Sequence, residues 1–211
     1  MIAVVDYGAG NLRNVCKALE HVGTQPVLTS DIRVIERADK VVLPGVGAFA
    51  DCRQGLIDRG LFEPLQNIGR SGKPFLGICV GMQLLLDIGM EMGEWSGLGL
   101  IPGRVVRFNF DTLASANPSV MHLKVPHIGW NQITAKHPHP MLTGVPENGY
   151  AYFVHSYHPV VDDPEGIITT THYGYDFASI IANGNIWGIQ FHPEKSQDVG
   201  LQILRNFVEA A

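Results

Sequence analysis

Two segments that lie far apart in this 211-residue chain carry residue types able to do nucleophilic chemistry together. The first is GICVG, residues 77–81, in which Cys79 stands between two glycines directly after an apolar run. This pattern is typical of a nucleophile elbow, a strained strand-to-helix turn that lifts the side chain clear of the sheet. A helix predicted over residues 81–89 would place its N-terminus beneath the sulfur, which favours a thiolate. On this segment alone, Cys79 could also be a small buried residue after a strand.

The second segment, GIQFHPEKS at residues 188–196, can supply a base and the group that orients it. Pro193 disfavours a helical conformation at His192, so the segment is predicted to be extended. Residues i and i+2 of an extended chain share a side, so Glu194 can hold one imidazole nitrogen while the other meets a sulfur. Together with Cys79 this gives a nucleophile, a base and an orienting carboxylate. A solvated histidine and glutamate in a surface turn would have the same local sequence.

A third segment, VVLPGVGAF at residues 41–49, offers backbone N–H groups to a developing negative charge. The glycines after Pro44 let the chain turn its N–H groups toward a carbonyl. With the N–H of Val80, the turn at Gly45 and Val46 is predicted to form an oxyanion hole. Standing alone, the same letters would describe an ordinary glycine-rich turn.

The elements that must position these residues alternate regularly in the first half of the chain. Apolar runs at 2–8, 25–30, 40–47 and 73–79 predict buried strands, and helical patterns fall at 11–23, 31–39, 48–72 and 81–89. The helical pattern over 48–72 is expected to break near Gly60 and Pro64. Such alternation predicts an α/β fold with three layers, in which a mixed, mostly parallel central sheet is flanked by helices.

The second half of the chain has a β-rich composition. Strands are predicted within 99–110, 125–133, 150–161, 166–174, 177–184 and 186–193, which add antiparallel strands to the sheet, and an amphipathic helix is predicted over 198–210. Residues 109–124 have little pattern and are predicted to be a loop. With no linker or repeat visible, residues 1–211 are predicted to form one domain.

Composition excludes several classes of function. Hydrophobic residues make up 45% and charged residues 17%, which is typical of a globular protein. The net charge of −5 argues against a nucleic-acid partner. No apolar run reaches the roughly 18 residues that span a membrane, and the N-terminus is predicted to be a strand rather than a signal peptide. Three cysteines argue against a disulfide framework and favour a reducing cytoplasm.

Two weaker patterns are not expected to form sites. GAG at residues 8–10 lacks the third glycine of a dinucleotide loop, since Arg13 stands there. HPHP at residues 137–140 holds two histidines without a third ligand nearby, which favours a polar loop over a metal site. No cofactor and no metal are therefore predicted.

The segments PGVG, GICVGMQ and FHPEKS, in this order, resemble the class I (triad) glutamine amidotransferases. Within that family, VVDYGAGNLRNV, VPHIGWN and YFVHSYHP resemble the glutaminase subunits of imidazole glycerol phosphate synthases in histidine biosynthesis. The resemblance covers essentially the whole chain and implies a flavodoxin-like fold. Val80, where the family more often has leucine, is a departure that leaves the backbone N–H intact.

The resemblance implies that Cys79 attacks the side-chain amide of glutamine and that Gln83, Glu91, Ser156 and Tyr157 bind this substrate. Gln83 also lies one helical turn after Cys79, so its side chain would face the same side of the predicted site as Cys79. His155 and His158 are less suitable bases than His192, because neither has a carboxylate two residues later. Cys16 is predicted to be a core residue, and Cys52 has no functional case.

The resemblance further implies a heterodimer with a (β/α)8-barrel cyclase subunit that consumes the ammonia. Asn11, Trp130 and Lys195 are predicted to line the docking face, although Trp130 could instead be a core aromatic. Glutaminase activity is expected to be low without a loaded acceptor, with a peptide rotation in PGVG as the switch. Three alternatives stay open: the glutaminase of another synthase, such as a sugar-amidination paralogue, a γ-glutamyl peptide hydrolase, and a non-catalytic binding module.

Overall fold

A computed structural model describes residues 1–111, 120 and 122–210 of the chain. Its first half has the predicted alternation of strands and helices. The strands are β1 Ile2–Val5, β2 Pro26–Thr29, β3 Lys40–Gly45 and β4 Phe75–Cys79. The helices are α1 Leu12–His21, α2 Ile32–Arg37, α3 Phe49–Asp58 and α4 Phe62–Arg70. Asp31 caps α2 by accepting the N–H of Arg33, which satisfies one free donor of the first turn.

The second half consists mostly of strands and ends in a helix. The strands are β5 Leu86–Gly89, β6 Trp95–Ser96, β7 Ile101–Arg107, β8 His127–Gln132, β9 Thr134–Ala135, β10 Tyr150–His155, β11 Tyr157–Val161, β12 Ile167–Tyr173, β13 Tyr175–Asn183 and β14 Ile186–Ile189. The predicted closing helix is α6, Gln197–Glu209. A one-turn helix, α5, spans Val80–Gln83.

The central sheet has eight strands in the order β2-β1-β3-β4-β14-β13-β12-β9. Its first five strands are parallel and its last three are added antiparallel. The parallel part, β2-β1-β3-β4-β14, has the strand order 2-1-3-4-5 of flavodoxin-like folds, with β14 as the fifth strand. Strands β1, β4 and β14 are buried along their whole length, as strands covered on both faces must be. The prediction of a mixed α/β sheet flanked by helices is confirmed.

Two smaller sheets lie beside it. One has the order β11-β7-β5-β6, and the other pairs β10 with β8 antiparallel. Ser156 separates β10 from β11, so the predicted strand over 150–161 is divided between two sheets. This division turns the chain at the position where glutamine-binding residues are predicted.

The helix predicted over 81–89 is wrong beyond its first turn. α5 ends at Gln83, and Leu86–Gly89 form β5, which pairs with β7. A short run that is apolar on all sides fits a buried strand as well as a buried helix, so periodicity could not separate the two.

The break predicted within 48–72 occurs at Gly60, between α3 and α4. Pro64 causes no break, because it stands in the first turn of α4, where no N–H is needed. Of the loop predicted at 109–124, residues 112–119 and 121 lie outside the described residues. Within the described residues no helix is long and apolar enough to cross a membrane.

Candidate active site

Cys79 stands at the junction between β4 and α5 in a strained conformation. Its φ of 55° and ψ of −114° lie outside the regions that side chains with a Cβ usually adopt. A Cβ at Gly81 would lie 1.8 Å from the Leu43 carbonyl oxygen, and one at Gly77 would lie 2.6 Å from that of Gly81. Both flanking positions therefore require glycine, as the nucleophile elbow predicts.

The helix after Cys79 differs from the expectation. α5 has only four residues, so it cannot supply the dipole of a long helix to the sulfur. Any stabilisation of a thiolate must therefore come chiefly from side chains around Cys79.

His192 and Glu194 form a buried pair next to β14. His192 Nδ1 lies 3.0 Å from Glu194 Oε1, and the two side chains are 3% and 0% exposed. The predicted extended segment is wrong after His192, because Pro193–Lys195 form a 3-10 turn that brings the carboxylate back to the imidazole. Ser196 Oγ donates to the His192 carbonyl at 2.7 Å and closes this turn.

The charge states of the pair follow from these contacts. Burial by itself lowers the pKa of His192, but hydrogen bonding with Cys79 and Glu194 outweighs burial and raises this pKa to about 10. Burial by itself raises the pKa of Glu194, but the hydrogen bond and charge of His192 hold it below its ordinary value. His192 is thus an imidazolium beside the sulfur and Glu194 a carboxylate, an environment that activates cysteine nucleophiles.

The turn predicted to form the oxyanion hole, Pro44–Gly45–Val46, is held by two buried side chains and is called the oxyanion turn below. Tyr7 OH donates to the Pro44 carbonyl at 2.8 Å, and Cys52 Sγ lies 3.3 Å from the Val46 carbonyl. Burial raises the pKa of the Cys52 thiol to about 11, so it stays protonated and can donate. Cys52, to which the sequence analysis assigns no function, therefore contacts the oxyanion turn.

One cavity of about 310 Å³ connects these groups, a size typical of small-molecule sites. It is lined by Val46, Gly47, Cys79, Val80, Gln83, Glu91, Pro126, Val154, His155, Ser156, Tyr157 and His192. Gly45 and Cys79 end β3 and β4, and His192 follows β14. These are three neighbouring parallel strands whose carboxyl ends meet at this edge. A larger cavity of about 490 Å³, lined by residues between 133 and 169, contains none of the predicted site residues.

Comparison with known proteins identifies the family. The glutamine amidotransferase class-I family profile matches residues 3–211. The chain belongs to this family. An imidazole glycerol phosphate synthase subunit HisH from Sulfurimonas denitrificans is 49% identical over 209 residues, covering 99% of this chain and 98% of the relative. The subunit of the same name from Geobacter sulfurreducens is 50% identical over 208 residues, with the same shares covered. A crystal structure of a glutamine amidotransferase has a TM-score of 0.73 at 18% identity, covering 99% of this chain and 98% of that one.

In this class-I glutamine amidotransferase, the structure defines what Gln83 can offer a substrate. Its Nε2 donates to the Tyr157 carbonyl at 3.1 Å and to Gln190 Oε1 at 3.2 Å. Both N–H groups are used, so Oε1 is the atom that can accept a hydrogen bond from a ligand.

Gln190 lies beside Cys79 and Gln83, and the sequence analysis does not single it out. It is fully buried, and its Nε2 lies 4.0 Å from Cys79 Sγ. A signal was available, because Gln190 precedes His192 by two positions at the end of a strand and so shares its side.

Glu91 and Ser156 are also held at the cavity wall. Glu91 Oε2 accepts the N–H of Phe49 at 2.7 Å, which anchors this carboxylate at the N-terminus of α3. The Ser156 carbonyl accepts the N–H of Phe108 at 3.0 Å.

Asn11 is closer to the chemistry than its predicted place on a docking face implies. Its Nδ2 donates to Glu194 Oε1 at 3.1 Å, and its Oδ1 accepts from Asn14. Asn11 and His192 thus contact the same carboxylate oxygen, Glu194 Oε1. Among the described residues the other oxygen, Oε2, is buried and has no hydrogen-bond partner.

Trp130 and Lys195 lie at the surface of the amidotransferase. Trp130 packs edge-on against Tyr152 with ring centroids 5.9 Å apart, and Lys195 Nζ lies 5.7 Å from the Tyr152 ring. The core interpretation of Trp130 is wrong, because its side chain is exposed.

An apolar stripe runs along the outer face of the β8–β10 sheet, where alternate residues point outward. It consists of Ile128, Trp130, Tyr150 and Val154, which are 60%, 46%, 55% and 36% exposed. Val154 also lines the cavity, so the stripe reaches the rim of the site. A set of exposed apolar residues of this kind is typical of an interaction surface.

Proposed function

We propose that this chain is the glutaminase subunit of an imidazole glycerol phosphate synthase, acting in the cytoplasm in histidine biosynthesis. The observation that carries the proposal is that Cys79 and His192 line one cavity, with Glu194 holding the imidazole of His192 from behind. It occurs in a chain about half identical, over nearly its full length, to relatives named as subunits of that synthase.

In the first step the Cys79 thiolate attacks the side-chain amide carbon of glutamine. A C–S bond forms, and the carbonyl oxygen becomes an oxyanion that accepts the N–H of Val80 and an N–H of the turn at Gly45 and Val46. His192 then gives its proton to the amide nitrogen, the C–N bond breaks, and ammonia leaves. A glutamyl thioester remains on Cys79.

In the second step water hydrolyses this thioester. His192, now neutral, takes a proton from the water as its oxygen attacks the carbonyl carbon. The C–S bond breaks, glutamate leaves, and the thiolate and the imidazolium are restored. Glu194 keeps the imidazole oriented in both steps and stabilises its charged form.

The cavity wall offers matching groups for free glutamine. Glu91 supplies a negative charge for the ammonium group, and Gln83 Oε1 can accept a hydrogen bond from the substrate. Ser156 and Tyr157 hold the glutamine backbone from the opposite wall. Because these groups recognise an uncapped amino acid, free glutamine is favoured over a peptide.

The ammonia needs an acceptor, and the apolar stripe is the surface on which we place it. Ammonia released into water would be protonated and lost as a nucleophile. A (β/α)8-barrel cyclase seated on the stripe, in a heterodimer, would cover the rim of the cavity at Val154 and shield the transfer. Trp130 and Lys195 contribute to this face, while Asn11 connects it to the Glu194 carboxylate.

Coupling between the subunits would act on the oxyanion turn. Tyr7 and Cys52 hold the carbonyls of Pro44 and Val46, which leaves the peptide between Gly45 and Val46 flanked by two fixed points. Rotation of this peptide would turn an N–H toward the substrate and switch the oxyanion hole on. Glutaminase activity is therefore low until the cyclase holds its nucleotide substrate.

The test is glutamate release from glutamine by the purified chain, measured alone, with the cyclase subunit, and with the cyclase and its nucleotide substrate. Strong stimulation by the loaded cyclase that is absent in Cys79→Ala would support the proposal. Glutamate release that depends on Cys79 but is not stimulated by the cyclase would assign the chain to another synthase. Turnover of γ-glutamyl peptides without any partner would identify a peptide hydrolase, and no release at all would identify a binding module.

A further inference from the structure

Three buried histidines lie at or near the cavity and take no part in the proposed chemistry: His127, His155 and His158. Burial lowers the pKa of His127 to about 4 and that of His155 to about 3, so both are neutral. Of the three, only His155 lines the cavity. Their environment is aromatic, with Phe108 in ring contact with all of them.

The hydrogen bonds of this group fix where each proton lies. His155 Nδ1 is 2.8 Å from the Tyr157 carbonyl, which can only accept, so His155 carries its proton on Nδ1. His155 Nε2 is then an acceptor, and it lies 3.1 Å from His127 Nδ1, which must carry a proton. His127 Nε2 in turn accepts from Asn131 Nδ2 at 3.3 Å. Donation therefore runs in one direction, from Asn131 through His127 and His155 to the Tyr157 carbonyl. This set of hydrogen bonds is called the relay below.

The receiving end of this relay is part of the site. The Tyr157 carbonyl also accepts Gln83 Nε2 at 3.1 Å, so both of its lone pairs are used. Gln83 and Tyr157 both line the cavity, and Gln83 also contacts Gln190 beside Cys79. The position of one carbonyl thus sets the orientation of the Gln83 amide.

We propose that His127 and Asn131 are positioning residues for glutamine binding. They hold His155 in a single tautomer, and His155 fixes the Tyr157 carbonyl and through it the Gln83 amide. This inference rests on the proposed function, because it takes glutamine as the ligand of the cavity. Neither His127 nor Asn131 lines the cavity, and the hydrogen bonds through His155 connect both of them to the Tyr157 carbonyl.

The experiment compares two variants of His127 that differ in where they place a donor. An asparagine amide can take the place of Nδ1 and donate to His155, whereas a glutamine amide reaches the place of Nε2 and leaves His155 without its donor. The Michaelis constant and kcat for glutamine are measured in the complex with the loaded cyclase. We expect H127Q to raise KM about tenfold with kcat changed no more than about threefold, and H127N to stay within about threefold of the wild type in both.

His158 provides a matched control for loss of a buried imidazole. It lies in the same aromatic group, but its nitrogens contact the Pro159 carbonyl and the Tyr175 hydroxyl and take no part in the relay. H158Q is expected to lower the unfolding temperature about as much as H127Q while leaving KM unchanged.

An unchanged KM in H127Q, or an equal rise in H127N or H158Q, would overturn the positioning role. These outcomes leave the proposed function intact, because Cys79-dependent glutamate release would still be present. Absence of that release in the wild-type complex would overturn the function and the inference together.

Discussion

Acid is expected to destabilise this protein well above the pH at which carboxylates titrate. His127 and His155 have pKa values of about 4 and 3 in the fold, against 6.5 as their ordinary value. Below pH 6.5 the unfolded chain therefore binds more protons than the folded chain, so stability falls as pH falls. His192 acts in the opposite sense, because its raised pKa stabilises the fold more as pH falls toward 6.5 and below.

The size of the effect between pH 7.0 and 5.5 follows from these values. Each of His127 and His155 removes about 1 kcal/mol from the free energy of unfolding, and His192 returns somewhat less than either of them removes. The net loss is roughly 1 to 2 kcal/mol, to which His158 adds because burial lowers its pKa as well. The pKa of Glu194 is lowered from 4.5, so its contribution is lost only at more acid pH.

The assay is urea unfolding at pH 7.0 and 5.5 at constant ionic strength, followed by circular dichroism. In His155→Asn, which keeps a donor to Tyr157 but no longer titrates, the loss should shrink by about 1 kcal/mol. Equal unfolding free energies at both pH values in the wild type would refute the account of neutral buried histidines.

Further outcomes are expected from single substitutions at four positions. Cys79→Ala should abolish glutamate release while the protein stays folded, and residual turnover at the wild-type rate would exclude Cys79 as the nucleophile. Asn11→Ala should lower kcat for glutamine about tenfold, because it removes one of the two hydrogen bonds to Glu194 Oε1. An unchanged kcat in the cyclase complex would contradict this role of Asn11. Cys52→Ala should lower kcat severalfold and Cys52→Ser should restore it, because serine keeps a donor to the oxyanion turn; equal rates in both variants would exclude that contact. Tyr7→Phe tests the other tether in the same assay and should also lower kcat.

The parallel half of the fold could be predicted from sequence because each of its signals is local. Continuous apolar strands, glycines after them and a capping aspartate at Asp31 all lie within a few residues of the feature they specify. The strand β5 could not be predicted, since its pairing with β7 is a tertiary contact that no local pattern carries. The two-residue strands β6 and β9 are too short to show any alternation.

The candidate site divides in the same way. Cys79, His192 and Glu194 belong to short motifs whose backbone geometry is encoded next to them, and the structure brings them together. The bond from Asn11 to Glu194 joins residues 183 positions apart, and the contact of Tyr7 with Pro44 depends on how two strands lie in the sheet. Such roles depend on contacts that exist only in the folded chain, so the spacing of residues in the sequence does not predict them.

The apolar stripe has a consequence for how much of the chain a cell can keep in unassembled form. Its four side chains lie together on one face of the β8–β10 sheet, so the free chain exposes a continuous apolar surface. Free copies should therefore associate with one another as their concentration rises. A partner subunit seated on the stripe, as proposed above, would also keep this chain in solution, and balanced synthesis of the two chains would then prevent self-association.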